Sequence, residues 1–329
     1  MSHANISVFV PHIGCPNQCS FCNQYCITGH TAAPTADDVR SAVEVALSSG
    51  GTADGREIAF FGGSFTAIER GYMTELLSAA KPFVDNGSVS GIRVSTRPDA
   101  IDSEVLTLLA QYGVTAVELG AQCMNDRVLS LNRRGHTAAD VYDAAKLIRE
   151  RGFELGLQMM TGLYGSDNAT DTDTARQFIT IGADTVRIYP TVVLRDTYLE
   201  HLMGAGEYVP QTVDDAASLC ARLTKMLESS GIRVIRVGLH TVDEGSYIGG
   251  PWHPAFGEIC RSYIYRQRIA EGLHGASECT VYVAPTEVSK AIGQKRSNIE
   301  YFRTKGCNVH IKGDGSLKND EIRIEEAPN

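Results

Sequence analysis

The chain has 329 residues, 43% hydrophobic and 21% charged, with a formal net charge of -9 at pH 7. Such a length allows one large barrel or two to three ordinary domains, while the apolar runs are too short to cross a bilayer. The acidic balance excludes attraction of nucleic acid by the molecule as a whole, so any such binding needs a local basic patch.

The first apolar run, Ile6 to Val10, reads as a strand and leads directly into Cys15-Pro-Asn-Gln-Cys19-Ser-Phe21-Cys22. Three thiolates at spacing C-x3-C-x2-C select zinc, copper(I) or an iron-sulfur cluster. Structural zinc needs a closed tetrahedron, with His12 or Cys26 as fourth ligand. A [4Fe-4S] cluster on only three cysteines instead keeps one iron open. The other cysteines, Cys123, Cys220, Cys260, Cys279 and Cys307, are scattered singly in an odd total of nine. That argues for reduced thiols, and with no basic region leading into an apolar one at the amino terminus the expectation is a cytoplasmic protein.

Further strands are expected at Ile58–Phe61, Ile92–Thr96, Ala116–Leu119, Leu155–Met159, Thr185–Tyr189 and Val234–Val237. Helices between them start at Thr35, Ser103, Thr137 and Thr212, each a hydroxyl N-cap with carboxylates in the first turn. Strand and helix in alternation imply right-handed crossovers and a parallel sheet, and six or seven units close fully or partly into a barrel. Polar and glycine-rich segments follow the strands: Gly62-Gly63-Ser64, Ser95-Thr96-Arg97-Pro98-Asp99, Gly120-Ala121-Gln122, Gln158 to Leu163, and Tyr189-Pro190-Thr191. Singly each is an ordinary loop; together they ring one barrel mouth.

Past Pro251-Trp252-His253-Pro254, which breaks regular structure, a helix is expected over 256–273. Trp252 reads as a packing anchor between domains. His240 and His253 read first as satisfied histidines and only second as ligands. Residues 280–312 read strand, helix over 286–292, tight loop, helix, strand. They carry six Lys or Arg against three Glu between 278 and 312.

Two resemblances order these features. The runs Ser95-Thr96-Arg97-Pro98-Asp99, Gly113 to Gly120, Leu131-Asn132-Arg133-Arg134-Gly135-His136-Thr137, Met159 to Leu163 and Arg187-Ile188-Tyr189-Pro190-Thr191 closely resemble the radical S-adenosylmethionine (radical SAM) half of the Elongator catalytic subunit, and more distantly the oxygen-independent coproporphyrinogen oxidases. The phrase around Gly293-Gln294-Lys295-Arg296 resembles a KH domain, whose G-x-x-G loop clamps nucleotides by their backbone; here Arg296 replaces the second glycine.

The first resemblance implies an α/β fold with a partial (β/α)6-type TIM barrel over residues 1–250; a linker and helix over 251–277 follow, and the second resemblance implies a KH-like module over 278–329. The first also implies that Cys15, Cys19 and Cys22 hold a [4Fe-4S] cluster and that Phe21 packs beside the adenine of S-adenosylmethionine. By the same likeness Gly62, Gly63 and Ser64 meet its amino group, and Gln122 and Arg134 meet its ribose and carboxylate. Gln158, Met160 and Tyr189 would line the adenosine pocket. Ser95 departs from the family, which has a glutamate there, so one cofactor-gripping carboxylate is missing. No acetyl-CoA loop follows the barrel, so the Elongator product is not assigned.

The implied function is reductive cleavage of S-adenosylmethionine to a 5'-deoxyadenosyl radical acting on RNA, with transfer RNA modification as the leading expectation. The expected partners are RNA, held through Gly293, Gln294, Lys295 and Arg296, and a one-electron donor such as flavodoxin or ferredoxin, with no membrane. Two other readings stay open: a small-molecule substrate with the terminal module as lid, and a cluster-binding protein without catalysis.

Overall fold

The computed structural model describes residues 4–11, 15, 18–23, 32–49, 55–239, 242 and 245–326. His12, Cys26 and His240 lie outside them.

Among the described residues seven parallel strands form one sheet: β1 (Ala4–Val10), β2 (Arg56–Gly62), β3 (Gly91–Thr96), β4 (Val114–Gln122), β5 (Glu154–Thr161), β6 (Thr185–Pro190) and, after the short β7 (Val193–Leu194), β8 (Arg233–Val237). The ladder runs in that order without β7, and each neighbouring pair is parallel. It begins at β1 and ends at β8, giving the partial barrel expected from the alternation of strand and helix.

Strands β2 to β6 are largely buried on both faces, whereas β8 at the end of the sheet is half-exposed. One face is apolar: Ile58, Phe60, Ile92, Val94, Val117, Leu119, Leu155, Leu157, Val186 and Ile188 form the main core. Beneath it lie α1 (Ala36–Ser48), α2 (Arg70–Asp85), α3 (Ser103–Gln111), α5 (Ala138–Glu150), α6 (Asn168–Ile181) and α8 (Val213–Ser229), whereas the short α4 (Asp126–Leu131) and α7 (Tyr198–Gly204) pack in smaller clusters. Alternate residues of the same strands, Glu57, Arg93, Ser95, Glu118, Gln158 and Arg187, occupy the opposite, concave face, because successive strand side chains point to opposite sides.

Thr35, Thr137 and Thr212 cap their helices as expected, accepting from the amides of Asp38, Asp140 and Asp215. Ser103 does not: the cap of α3 is Asp102, whose carboxylate accepts from the Val105 amide at 2.7 Å. Carboxylate and hydroxyl are comparable caps, so the choice falls to the residue with extended backbone. The segments 120–122, 160–161 and Pro190, expected beyond the strand ends, are still strand. Gln122, Gln158, Met160 and Tyr189 therefore stand on sheet, not on mobile loops.

Beyond β9 (Tyr247–Gly249), α9 (Phe256–Gly272) joins two cores. Phe256 and Cys260 belong to the main core, whereas Tyr265 and Ile269 belong to a second one built on β10 (Glu278–Val283). Then come a 3-10 turn at Pro285–Glu287, α10 (Val288–Ile292), α11 (Ser297–Thr304), β11 (Asn308–Gly313) and β12 (Ile322–Glu326). The turn splits the helix expected over 286–292, and β12 is an additional strand. In this sheet β10 is central, parallel to β11 and antiparallel to β12. Trp252 does not sit between the two cores. It lies 5.8 Å from Tyr247, ring centroid to centroid, in a small cluster with Val192, Leu194 and Val242.

Candidate active site at the barrel mouth

The cysteine loop leaves the end of β1 against the tip of β2. Gly62 has φ +115°, and a Cβ there would stand 2.4 Å from the Val10 carbonyl oxygen, so only glycine fits. The Gly63 amide donates to that same oxygen at 2.8 Å. The Ser64 hydroxyl turns inward, 2.9 Å from Thr96 Oγ1, and accepts from the Arg97 amide at 3.1 Å. Ser64 thus fastens the glycine turn to β3.

The loop is clamped farther along by Asn132, fully buried just after α4. Its backbone carbonyl accepts from the Ser20 amide at 3.1 Å, and its Oδ1 accepts from the Ser20 hydroxyl at 2.7 Å. Its Nδ2 donates to the carbonyls of Val128 and Tyr164. The Ser20 carbonyl accepts from the Leu199 amide at 2.8 Å, so α4 and α7 grip the loop from two sides.

Cys19 is buried, and Cys15 and Cys22 are partly so. Burial pushes the Cys22 thiol up to about 12, and the neighbouring thiolates add to it. Burial likewise raises Cys15, against a hydrogen bond from the Ser64 backbone. On their own these two sulfurs stay as thiols; a metal centre among them would hold them deprotonated. Among the described residues no three His, Cys, Asp or Glu close on a single metal ion; a [4Fe-4S] cube takes its three thiolates on three different irons.

Beside Cys19 lies Arg134, whose NH1 is 3.1 Å from the sulfur and whose NH2 donates to the Gly120 carbonyl at 2.6 Å. Gly120 makes room: a Cβ there would stand 3.0 Å from Gln122 Nε2 and 3.4 Å from Arg134 NH2. Gln122 has φ +64°, at a register irregularity in the β4–β5 pairing. A non-glycine residue held there is strained, and such strain gathers at ligand sites. Gln122 Oε1 and Arg134 Nε are both buried without a hydrogen-bond partner among the described residues. Buried polar atoms are normally satisfied, so an acceptor atom and a donor atom are left for a polar molecule at this mouth. The chemistry of the donors fits a cluster and an amino-acid-bearing nucleoside. His136 stays neutral, since burial and then the Arg134 charge push its imidazole down to about 4.

Deeper in, the concave face carries an ion network that motif reasoning missed. Arg187 grips Glu118 bidentately at 2.8 and 3.0 Å. Arg93, fully buried, reaches Glu57, Glu118 and Glu154 at 2.8, 3.3 and 2.7 Å. Burial pushes the Glu118 carboxyl up, but Arg187 and Arg93 outweigh it and hold it below the usual range. Gln158 Nε2 donates to Glu118 at 2.9 Å and to Ser95 Oγ at 3.3 Å. Ser95 and Glu118 are paired across β3 and β4, so a carboxylate does stand beside Ser95, committed to Arg187. The signal for it lay in strand alternation: Glu118 and Arg187 are charges at inward positions of strands that are otherwise apolar.

Phe21, Met160 and Tyr189 meet in one apolar cluster with Cys123, Val128, Leu129 and Leu163. The expected site residues therefore form three groups: Cys19, Arg134 and Gln122 with the cysteine loop; Ser95 and Gln158 on Glu118; and Phe21 with Met160 and Tyr189. His253 is occupied locally, its Nδ1 accepting from the Ala255 amide at 3.0 Å.

Residues 293–296 belong to the small sheet's module, where Gln294 Nε2 lies 3.5 Å from His253 Nε2. Gly293 has φ +81°, and a Cβ there would meet Ser297 Oγ at 2.5 Å. Lys295 and Arg296 are both left-handed, at φ +51° and +64°, and both side chains are exposed. Among the described residues neither forms an ion pair, whereas Lys290 pairs with Glu287 and Arg303 with Glu300.

A barrel mouth with three cysteines on the first loop and a polar concave face defines a class, and the family models agree. Residues 9–179 match the Radical SAM superfamily and residues 183–266 a Radical SAM C-terminal domain. The chain belongs to the radical SAM superfamily, enzymes that work with a [4Fe-4S] cluster and S-adenosylmethionine. Within it, the chain is similar to a tRNA uridine(34) acetyltransferase of Dehalococcoides mccartyi, 27% identical over 266 residues, covering 70% of this chain and 58% of that protein. It is also similar to Elongator complex protein 3 of Schizosaccharomyces pombe, 28% identical over 211 residues, covering 58% of this chain and 39% of that protein. Among solved structures it resembles the archaeal Methanocaldococcus infernus Elp3 with an N-terminal deletion, with TM-score 0.65 at 20% identity, covering 81% of this chain and 63% of that one. The chain thus spans a little over half the length of the first of these curated relatives.

Proposed function

We propose that this radical SAM enzyme modifies RNA, with transfer RNA as the favoured substrate. In this reading Cys15, Cys19 and Cys22 hold the cluster, and Gln122 and Arg134 take the cofactor's polar groups through their free Oε1 and Nε. Gly62 and Gly63 open the turn beside it, and Phe21, Met160 and Tyr189 form the apolar side of the adenosine pocket. Ser95 and Gln158 face it from the concave wall on the Glu118–Arg187 pair. When bound, the cluster and S-adenosylmethionine supply one-electron cleavage and hydrogen abstraction from substrate; the electron comes from a donor of the flavodoxin or ferredoxin kind. The protein's share is orientation and exclusion of water at the mouth.

The RNA clause rests above all on Lys295 and Arg296. Two adjacent cations held in left-handed backbone, exposed and free of ion pairs among the described residues, are suited to nucleic-acid phosphates. Arginine at φ +64° carries strain that glycine would not. The names of the tRNA-modifying relatives support the same substrate class.

The test is anaerobic reconstitution followed by measurement of 5'-deoxyadenosine with and without transfer RNA. An RNA-dependent increase is expected. Its absence, with the cluster fully loaded, would favour a small-molecule substrate.

A further inference from the structure

We propose that Arg134 sets the reduction potential of the cluster by donating to the sulfur of Cys19. The proposal rests on the reading that Cys15, Cys19 and Cys22 hold the [4Fe-4S] cluster, and it is separate from any contact of Arg134 with S-adenosylmethionine. Arg134 NH1 and the Cys19 sulfur are 3.1 Å apart, and both residues are only 7% exposed. A guanidinium does not deprotonate in a protein, so this is a permanent charge at a ligand atom.

The contact is built rather than incidental. NH2 is aimed by the Gly120 carbonyl at 2.6 Å. The Arg134 carbonyl accepts from Arg97 NH2 at 2.7 Å, and the Arg97 fork is itself closed on Asp99 at 2.8 and 2.9 Å. Two residues before Arg134, Asn132 holds Ser20, the neighbour of Cys19. One hydrogen-bonded frame therefore fixes both partners. Nε remains without a partner among the described residues, so the side chain can meet a second acceptor without leaving the sulfur.

Hydrogen bonds to the ligating sulfurs and the net charge around a cluster are the protein's levers on its potential. Reduction adds negative charge to the cube. A buried cation at one of its sulfurs stabilises the reduced form more than the oxidised one, and so raises the potential. Lysine would keep a charge but lose the aimed fork; glutamine would lose the charge.

The experiment uses full-length wild-type, R134K and R134Q proteins, reconstituted anaerobically with iron and sulfide and kept free of S-adenosylmethionine. Iron and sulfide are counted, and the cluster is titrated by EPR-monitored potentiometry. The expected result is a more negative midpoint for R134Q and an intermediate one for R134K, each at wild-type iron content. Equal midpoints at equal iron would overturn the proposal. A measurement on the wild type alone guards against a variant that fails to hold iron: protein enriched in 15N-arginine should show a nitrogen coupling to the reduced cluster in pulsed EPR, and no coupling overturns the proposal. Failure of the underlying reading looks different, because wild-type protein would then take up no cube at all.

Discussion

Asp171 shows how a single buried carboxyl leaves a mark on the behaviour of the whole chain. It is 1% exposed, accepts from the Gly162 amide and the Ser166 hydroxyl at 2.8 and 2.5 Å, and is pushed up to about 6 by burial. A carboxyl raised on folding adds stability that is complete below its unfolded value near 3.8 and is lost as pH rises through 6. At one pKa unit per 1.36 kcal/mol the full loss is about 2–3 kcal/mol. The stability difference between wild type and Asp171→Asn, measured by urea unfolding, should therefore fall between pH 4 and 6 and stay flat above. Glu118 gives the opposite kind of prediction. Removing it with Glu118→Ala leaves the Arg187 guanidinium buried and uncompensated, which should cost about 3–5 kcal/mol of stability, read from the same unfolding curves.

At the scale of elements, the strand ends carry the site and the helix after β4 carries its clamp. Asn132→Ala removes the acceptor of the Ser20 hydroxyl and the donor to two carbonyls. At about 1–3 kcal/mol for each buried group left unsatisfied, the cysteine loop should loosen; iron bound per chain after gel filtration should drop well below wild type. The cysteine triplet and the alternation of strand and helix were legible because each is local, a spacing or a period within a few residues. The Glu118 network was not, because Arg93 lies 36 residues from Glu57 and Arg187 lies 69 from Glu118, and only the closing of the sheet brings them together. The loop boundaries failed for a related reason: Gly120 and Gln122 read as turn chemistry, yet the ladder with β5 overrides local preference and carries β4 through to Gln122.

For the molecule as a whole, an overall charge of -9 makes any RNA contact depend on a few uncompensated cations. Replacing Lys295 and Arg296 together by alanine should weaken transfer RNA binding roughly uniformly across sequences and lower the salt slope by about 2, one for each phosphate no longer neutralised; filter binding at several salt concentrations reads both. The KH-like phrase was legible as a glycine-led loop, whereas the left-handed backbone at Arg296 was not, since nothing in the residue type announces it.

The long helix α9 is bolted at its beginning into the large core through Phe256 and Cys260 and at its end into the small one through Tyr265 and Ile269. A chain cut ahead of Phe256 would leave a greasy scar on the barrel, and one cut past Ile269 would deprive the small sheet of its backing, so neither half should survive dissection as a well-behaved fragment. A pull on the distal tip can travel along this stiff rod, which is rooted in the core of the barrel.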